Sequence, residues 1–317
     1  MHSRSILITG GTGFIGSHLC RRLLNEGAHV HLLVRPQSST ERIHDFADRL
    51  TLWKGDLTDP ASVHRCVEGS RPEWIFHIAG DSDVRRLSPD LSQLDASVEV
   101  NLKGTLNLLK AAHAMKTPPT RFIRLGGLEE YGHGPLPYDE SQREDPSSPY
   151  SASQVATTYY CQMLQKHLGF SILTLRPALV YGPAQSLKFL IPSLITHCLQ
   201  GKDFELASET NGRDLLYIDD LIEGLVRSTG CPDVAGEVIN LGSGKEYKNQ
   251  YVADEILRLL GNGIRLKLGI AAKRSVEIPH LRCRNEKALS LLQWKPQVSL
   301  EEGLPQTIEW YRKHRSR

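Results

Sequence analysis

The run Ser5-Ile6-Leu7-Ile8-Thr9-Gly10-Gly11-Thr12-Gly13-Phe14-Ile15-Gly16 constrains this chain more than any other segment. Ser5–Thr9 is short, apolar and β-rich. From Gly13 to Asn25, the residues Phe14, Ile15, Leu19, Leu23 and Leu24 recur near helical spacing. The glycines between fit G-x-G-x-x-G at 11, 13 and 16, and an even three-residue spacing at 10, 13 and 16. Alone the pattern is weak; placed between a strand and a helix it has a physical purpose. Glycine lets backbone N–H groups approach a pyrophosphate at the positive end of the helix. A dinucleotide is therefore expected on Gly10, Gly13, Phe14, Ile15 and Gly16. A plain tight turn packed against the helix is the weaker alternative.

The same alternation continues. His29–Val34, Leu50–Lys54, Glu73–Ile78, Arg121–Leu125 and Ser171–Leu175 read as strands, and helices are predicted at about 98–115 and 149–168. Repeated β-α-β units with near-continuous apolar strands give an α/β fold, a doubly wound parallel sheet covered on both faces. Such a sheet binds ligands at the carboxyl ends of its strands, where strand order reverses. Residues 1–176 are expected to form the dinucleotide-binding domain, with a returning strand at 238–241. Residues 177–317, where prolines and glycines loosen the pattern, are expected to form mainly a smaller substrate-binding lobe.

Other classes are disfavoured. A net charge of +2 over 317 residues argues against nucleic acid or a membrane surface as partner. No apolar stretch approaches the ~18 residues of a membrane span. The early apolar run is broken by Gly10 and Gly11, unlike a signal peptide. Six cysteines with no C-x-x-C pair read as packed, reduced thiols of a cytoplasmic protein, with no metal site.

Arg35 follows the second strand, where a ribose-reading residue belongs. An acid there suits NAD, whereas Arg pairs with a 2′-phosphate. NADP is the expected cofactor, with NAD the alternative. Asp56 and Leu57, after the third strand, are placed at the adenine.

Further motifs extend the pattern: Phe76-His77-Ile78-Ala79, Val100-Asn101-Leu102-Lys103-Gly104-Thr105, Glu129-Glu130-Tyr131-Gly132 and Ser148-Pro149-Tyr150-Ser151-Ala152-Ser153. Leu175-Arg176-Pro177, Tyr181-Gly182-Pro183, Arg213-Asp214, Tyr217-Ile218-Asp219-Asp220 and Trp294-Lys295-Pro296 complete it. With these the chain resembles, over almost its full length, an extended short-chain dehydrogenase/reductase of the nucleotide-sugar epimerase, dehydratase and 4-ketoreductase group. GDP-4-keto-6-deoxymannose reductases and GDP-mannose dehydratases look most similar. The resemblance implies a Rossmann domain, a nucleotide-diphosphate sugar as substrate and a homodimer through the helices near 98–115 and 149–168. It implies that Ala79 contacts cofactor, that Tyr150 transfers a proton and that Glu129 is a catalytic carboxylate. Tyr131 is expected near substrate, and Arg213 and Arg274 on its diphosphate.

The same resemblance marks three departures. A Ser or Thr that polarises the substrate oxygen is replaced by Gly127. The Lys that holds the nicotinamide ribose and lowers the tyrosine pKa is replaced by Gln154. Leu179 stands where an Asn often contacts substrate phosphate. Helical i, i+4 spacing keeps Tyr150 and Gln154 on one face, so Gln154 can still bind ribose. Two functions follow: NAD(P)-dependent modification of a nucleotide-linked sugar, by 4-keto reduction, epimerisation or dehydration, at an atypical site; or a catalytically impaired protein that binds cofactor and sugar nucleotide as partner or sensor.

Overall fold

The fold alternates strand and helix from its first residues. It is described by a computed structural model covering residues 3–81, 91, 93–261, 264–268 and 278–314. The first half runs β1 (Ser5–Thr9), α1 (Phe14–Asn25), β2 (His29–Val34), β3 (Leu50–Lys54), α2 (Pro60–Ser70), β4 (Trp74–His77), α3 (Gln93–Ser97), α4 (Gly104–His113), β5 (Arg121–Leu125), α5 (Pro149–Gln165) and β6 (Ser171–Pro177). The second half runs β7 (Leu179–Tyr181), α6 (Leu190–Gln200), β8 (Phe204–Leu206), β9 (Gly212–Tyr217), α7 (Ile218–Ser228), β10 (Val238–Leu241), β11 (Glu246–Lys248), α8 (Asn249–Leu260), β12 (Leu266–Leu268), β13 (His280–Leu281), α9 (Glu286–Leu292) and α10 (Leu300–Lys313).

Seven strands pair in parallel in the order β10-β6-β5-β4-β1-β2-β3. Strand order reverses between β1 and β4, so the crevice above their carboxyl ends is the natural ligand site. The central strands are apolar on both faces: Ile6, Leu7 and Ile8 are fully buried, as are Ile75 and Phe76. Two apolar clusters result, one on each side of the sheet. The chain beyond residue 177 supplies β10 to the sheet, and α7 packs on α1, joined by an Arg22–Glu223 ion pair. A second, small sheet has β9 at its centre, with β7, β11 and β13 as neighbours.

Local sequence sets the ends that matter. Asp59 caps α2 by accepting from the Ala61 N–H, with Pro60 in the first turn. Ser148 caps α5 in the same way, accepting from the Ser151 N–H at 3.1 Å, with Pro149 in the first turn. That cap fixes the first turn of α5 and so the position of Tyr150. The helix predicted near 98–115 is not uniform: Val98–Lys103 winds as a π-helix before α4 begins. Side chains compete for its backbone here. The Asn101 carbonyl accepts from the hydroxyls of Thr105 and Thr157. A widened turn of this kind is a frequent companion of functional sites. Among the described residues no helix is long and apolar enough to cross a membrane.

Candidate active site

The glycine turn lies between β1 and α1 as the sequence reading requires. Gly10 has φ +75°, and a β-carbon there would lie 2.7 Å from the backbone nitrogen of Ala79, which follows β4. Only glycine fits both the angle and the contact. At Gly16 a β-carbon would come within 2.1 Å of the Gly10 carbonyl oxygen, so that glycine is what lets α1 close onto the turn. Gly13 begins α1 with no side-chain cap, and the first turn carries no acid. Its N–H groups, with Phe14 and Ile15 partly exposed, form a cradle of the shape and polarity that a pyrophosphate needs. Arg35 is exposed at the carboxyl end of β2, and Asp56 stands at the end of β3, accepting from the Thr58 N–H and hydroxyl. Leu57 beside it is buried and its carbonyl accepts from Asn107. These residues fit a dinucleotide.

Tyr150, Glu129 and Gly127 converge past the end of β5. Gly127 is extended, at φ −167°, a conformation open to any residue. A β-carbon at Gly127 would lie 3.4 Å from the Tyr150 hydroxyl and 2.7 Å from Glu129 Oε2. The Glu129 carboxylate thus crowds the space that a side chain at position 127 would enter. Burial raises the Glu129 pKa, with Glu130 adding to the shift and Arg213 opposing it. Burial raises that of Tyr150 too; Glu129, Glu130 and Asp81 push the same way, and Arg124 pulls it down. At neutral pH Tyr150 is therefore a protonated donor.

Gln154 is buried one helical turn beyond Tyr150. Its Oε1 accepts a hydrogen bond from the Arg124 guanidinium, while its Nε2 lies 3.6 Å from where a β-carbon of Gly80 would be. Arg124, on β5, is 1% exposed, and its other recorded partners are the hydroxyls of Thr158 and Thr174. A buried positive charge is therefore in direct contact with residue 154. Thr158 passes the network on by donating to Glu130, which pairs with Arg176 at 2.6 Å; Arg176 also binds Glu144. Nearby, His77 joins the hydroxyls of Thr9 and Thr105, and burial lowers its pKa to about 3, with Arg124 helping. It is a neutral structural imidazole.

The sequence reading did not single out Arg124 or Glu130. The available signal was a charge at the fourth position of Arg121-Phe122-Ile123-Arg124-Leu125, a strand otherwise reading as buried. Tyr131 lies in the core rather than at a surface. It is 0% exposed, its hydroxyl donates to Asn240, and its ring stacks on Tyr138 and under Arg176. Those contacts make it a scaffold for Arg176.

A cleft opens beyond β7 and β9, lined by Leu179, Gln185, Phe189, Arg213, Tyr247 and Asn249. Arg213 borders this cleft, and its charge also acts on the Glu129 carboxylate. Its Nη1 is steadied by the carbonyls of Gly212 and Pro279. Arg274 lies outside the described residues.

A family model for the NAD dependent epimerase/dehydratase family matches residues 6–242. The UDP-glucose 4-epimerase of Mycolicibacterium smegmatis is 31% identical, over 96% of this chain and 98% of that protein. The dTDP-glucose 4,6-dehydratase 1 of Escherichia coli is 29% identical, over 96% and 92%. Among solved structures, UDP-glucose 4-epimerase from Thermotoga maritima with UDP-glucose superposes with a TM-score of 0.87 at 25% identity, covering 98% of this chain and 99% of that one. UDP-glucuronic acid 4-epimerase from Bacillus cereus, in complex with UDP-glucuronic acid and NAD, gives 0.87 at 26%, with the same coverage.

Proposed function

The chain belongs to the NAD dependent epimerase/dehydratase family, and from that premise we propose that it acts on a nucleoside-diphosphate sugar at C4 with a bound nicotinamide dinucleotide. Gly10, Gly13, Phe14, Ile15, Gly16 and Ala79 hold the cofactor, which when bound takes up and returns a hydride. The observation that carries the reading is the meeting of Tyr150 and Glu129 at position 127. Tyr150 moves the proton of the C4 oxygen: as the phenolate it accepts the proton of a C4 hydroxyl that is being oxidised, and as the phenol it returns a proton to the C4 ketone that is being reduced. Glu129, close by, takes a proton from the carbon next to a C4 ketone, as dehydration requires. Its raised pKa makes it a stronger base once ionised. Gln154 binds the nicotinamide ribose through its free amide end. Arg213 takes the substrate diphosphate with its planar fork.

The test is thermal shift and product analysis with UDP-glucose, UDP-glucuronic acid and dTDP-glucose. At least one sugar nucleotide is expected to raise the melting temperature and be converted. Arg213→Ala should weaken that ligand by about 1.5–3 kcal/mol, roughly ten- to over a hundredfold. If these three and a GDP-sugar and a CDP-sugar all fail to shift the melting temperature, the nucleotide-sugar reading fails. If binding occurs without conversion, the protein is a holding protein rather than an enzyme.

Cofactor choice is the second expected result. Arg35, exposed where β2 ends, favours a 2′-phosphate, so NADP(H) should bind more tightly than NAD(H). Calorimetry with both dinucleotides measures this, and Arg35→Asp should reverse the order. Equal affinities in the parent would remove Arg35 from the site.

A further inference from the structure

Gln154 is not a neutral gap in an otherwise charged site. Arg124 reaches it from β5, through the core, and the guanidinium can only donate. That fixes the Gln154 amide: Oε1 faces Arg124 and Nε2 faces away, towards Gly80 and Asn101. All three recorded side-chain partners of Arg124 are neutral, namely Thr158, Thr174 and Gln154. Its charge is thus not cancelled at contact, although Glu130 lies one hydroxyl further on, through Thr158, where Arg176 already pairs with it. A buried guanidinium with neutral ligands polarises whatever it touches, and low dielectric lengthens its reach.

We infer that Arg124 supplies positive charge to this active site, as a positioning residue that acts on cofactor and Tyr150 through the Gln154 amide, and that it excludes a lysine from position 154. The inference rests on the reading of Tyr150 and the nicotinamide given above. The groups facing Tyr150 are consistent with it. Glu129 and Glu130 from the turn after β5, and Asp81 from the loop after β4, all hold its proton on. Arg124 alone among its recorded neighbours draws the proton off. The polarised Nε2–H presents partial positive charge on the cofactor side, where a lysine would have presented a full one. Both cations together would set two like charges side by side in the core, which is strongly unfavourable.

Two measurements on four proteins test this: the parent, Gln154→Lys, Arg124→Met and the double variant. The first is the melting temperature without ligand. Gln154→Lys should lose about 5 °C or more, and adding Arg124→Met should recover at least half of that loss. If Gln154→Lys does not fold, recovery of folding by Arg124→Met is the same result. The second is the ratio of affinities for oxidised and reduced cofactor, by calorimetry. The oxidised ring is positive, so removing Arg124 should move the ratio towards the oxidised form by on the order of threefold or more. The double variant should move it back. A packing role for Arg124 would leave this ratio unchanged. Gln154→Lys as stable as the parent, a double variant no better than Gln154→Lys, or an unmoved ratio in Arg124→Met would each overturn the inference. Neither measurement needs turnover, so a protein that passes both and converts no sugar fails only the catalytic reading.

Discussion

Replacing Tyr150 by Phe is expected to lower turnover of the nucleotide sugar by ~10²–10⁴-fold, the usual contribution of a positioned acid–base group, and to leave cofactor affinity within about twofold. Tyr150 sits in the first turn of α5, whose position is set by the Ser148 cap. Its hydroxyl lies 3.4 Å from the point where a residue at 127 would begin its side chain. Phe keeps the ring and its packing and removes only the oxygen, so a loss of rate cannot be assigned to a displaced helix. Because Gly127 carries no hydroxyl, position 127 cannot share the work, and the loss should fall in the upper part of the range. Steady-state turnover and calorimetric cofactor titration of the two proteins measure it. A variant within threefold of the parent would show that Tyr150 does not carry the proton.

The fold was legible because its signals are local. The glycine turn, the apolar runs at Ser5–Thr9, His29–Val34 and Arg121–Leu125, and even the returning strand Val238–Leu241 follow from periodicity and turn chemistry, and the sheet has them all. The geometry of the glycine turn was legible for the same reason: it is one turn between one strand and one helix. The surroundings of Tyr150 were only partly so. Tyr150 and Gln154 share a helix, and their spacing alone puts them on one face. Arg124 acts on Gln154 across 30 residues of chain, from a strand to the helix that packs over it. No periodic pattern encodes such a contact, and a missing lysine therefore read as a missing charge. Tyr131 shows the opposite limit: it stands two residues from Glu129 in sequence, but its own side chain is buried against Tyr138 and Arg176.

Glu129→Gln should separate function from stability. Its pKa is raised, first by burial and then by Glu130, so the folded protein binds that proton more tightly than the unfolded chain does. Between the unfolded value, about 4.3, and the raised folded value, the native state holds more protons. Stability due to this group therefore falls as pH rises through that window, and the penalty is complete above the folded pKa. Gln carries no charge and avoids the penalty. The variant should accordingly melt at a higher temperature than the parent at pH 7.5, with the gain shrinking as pH falls towards 4.5. Its activity should change the other way. A step that removes a proton next to the C4 ketone should slow by ~10²–10⁴-fold, while exchange of hydride at C4, which depends on Tyr150, should survive in larger part. Melting curves across pH and solvent-deuterium incorporation into product read the two effects on one protein. A drop in melting temperature at pH 7.5 would mean that Arg213 already satisfies the carboxylate, and Glu129 would then be a structural anion beside the site rather than a base poised within it.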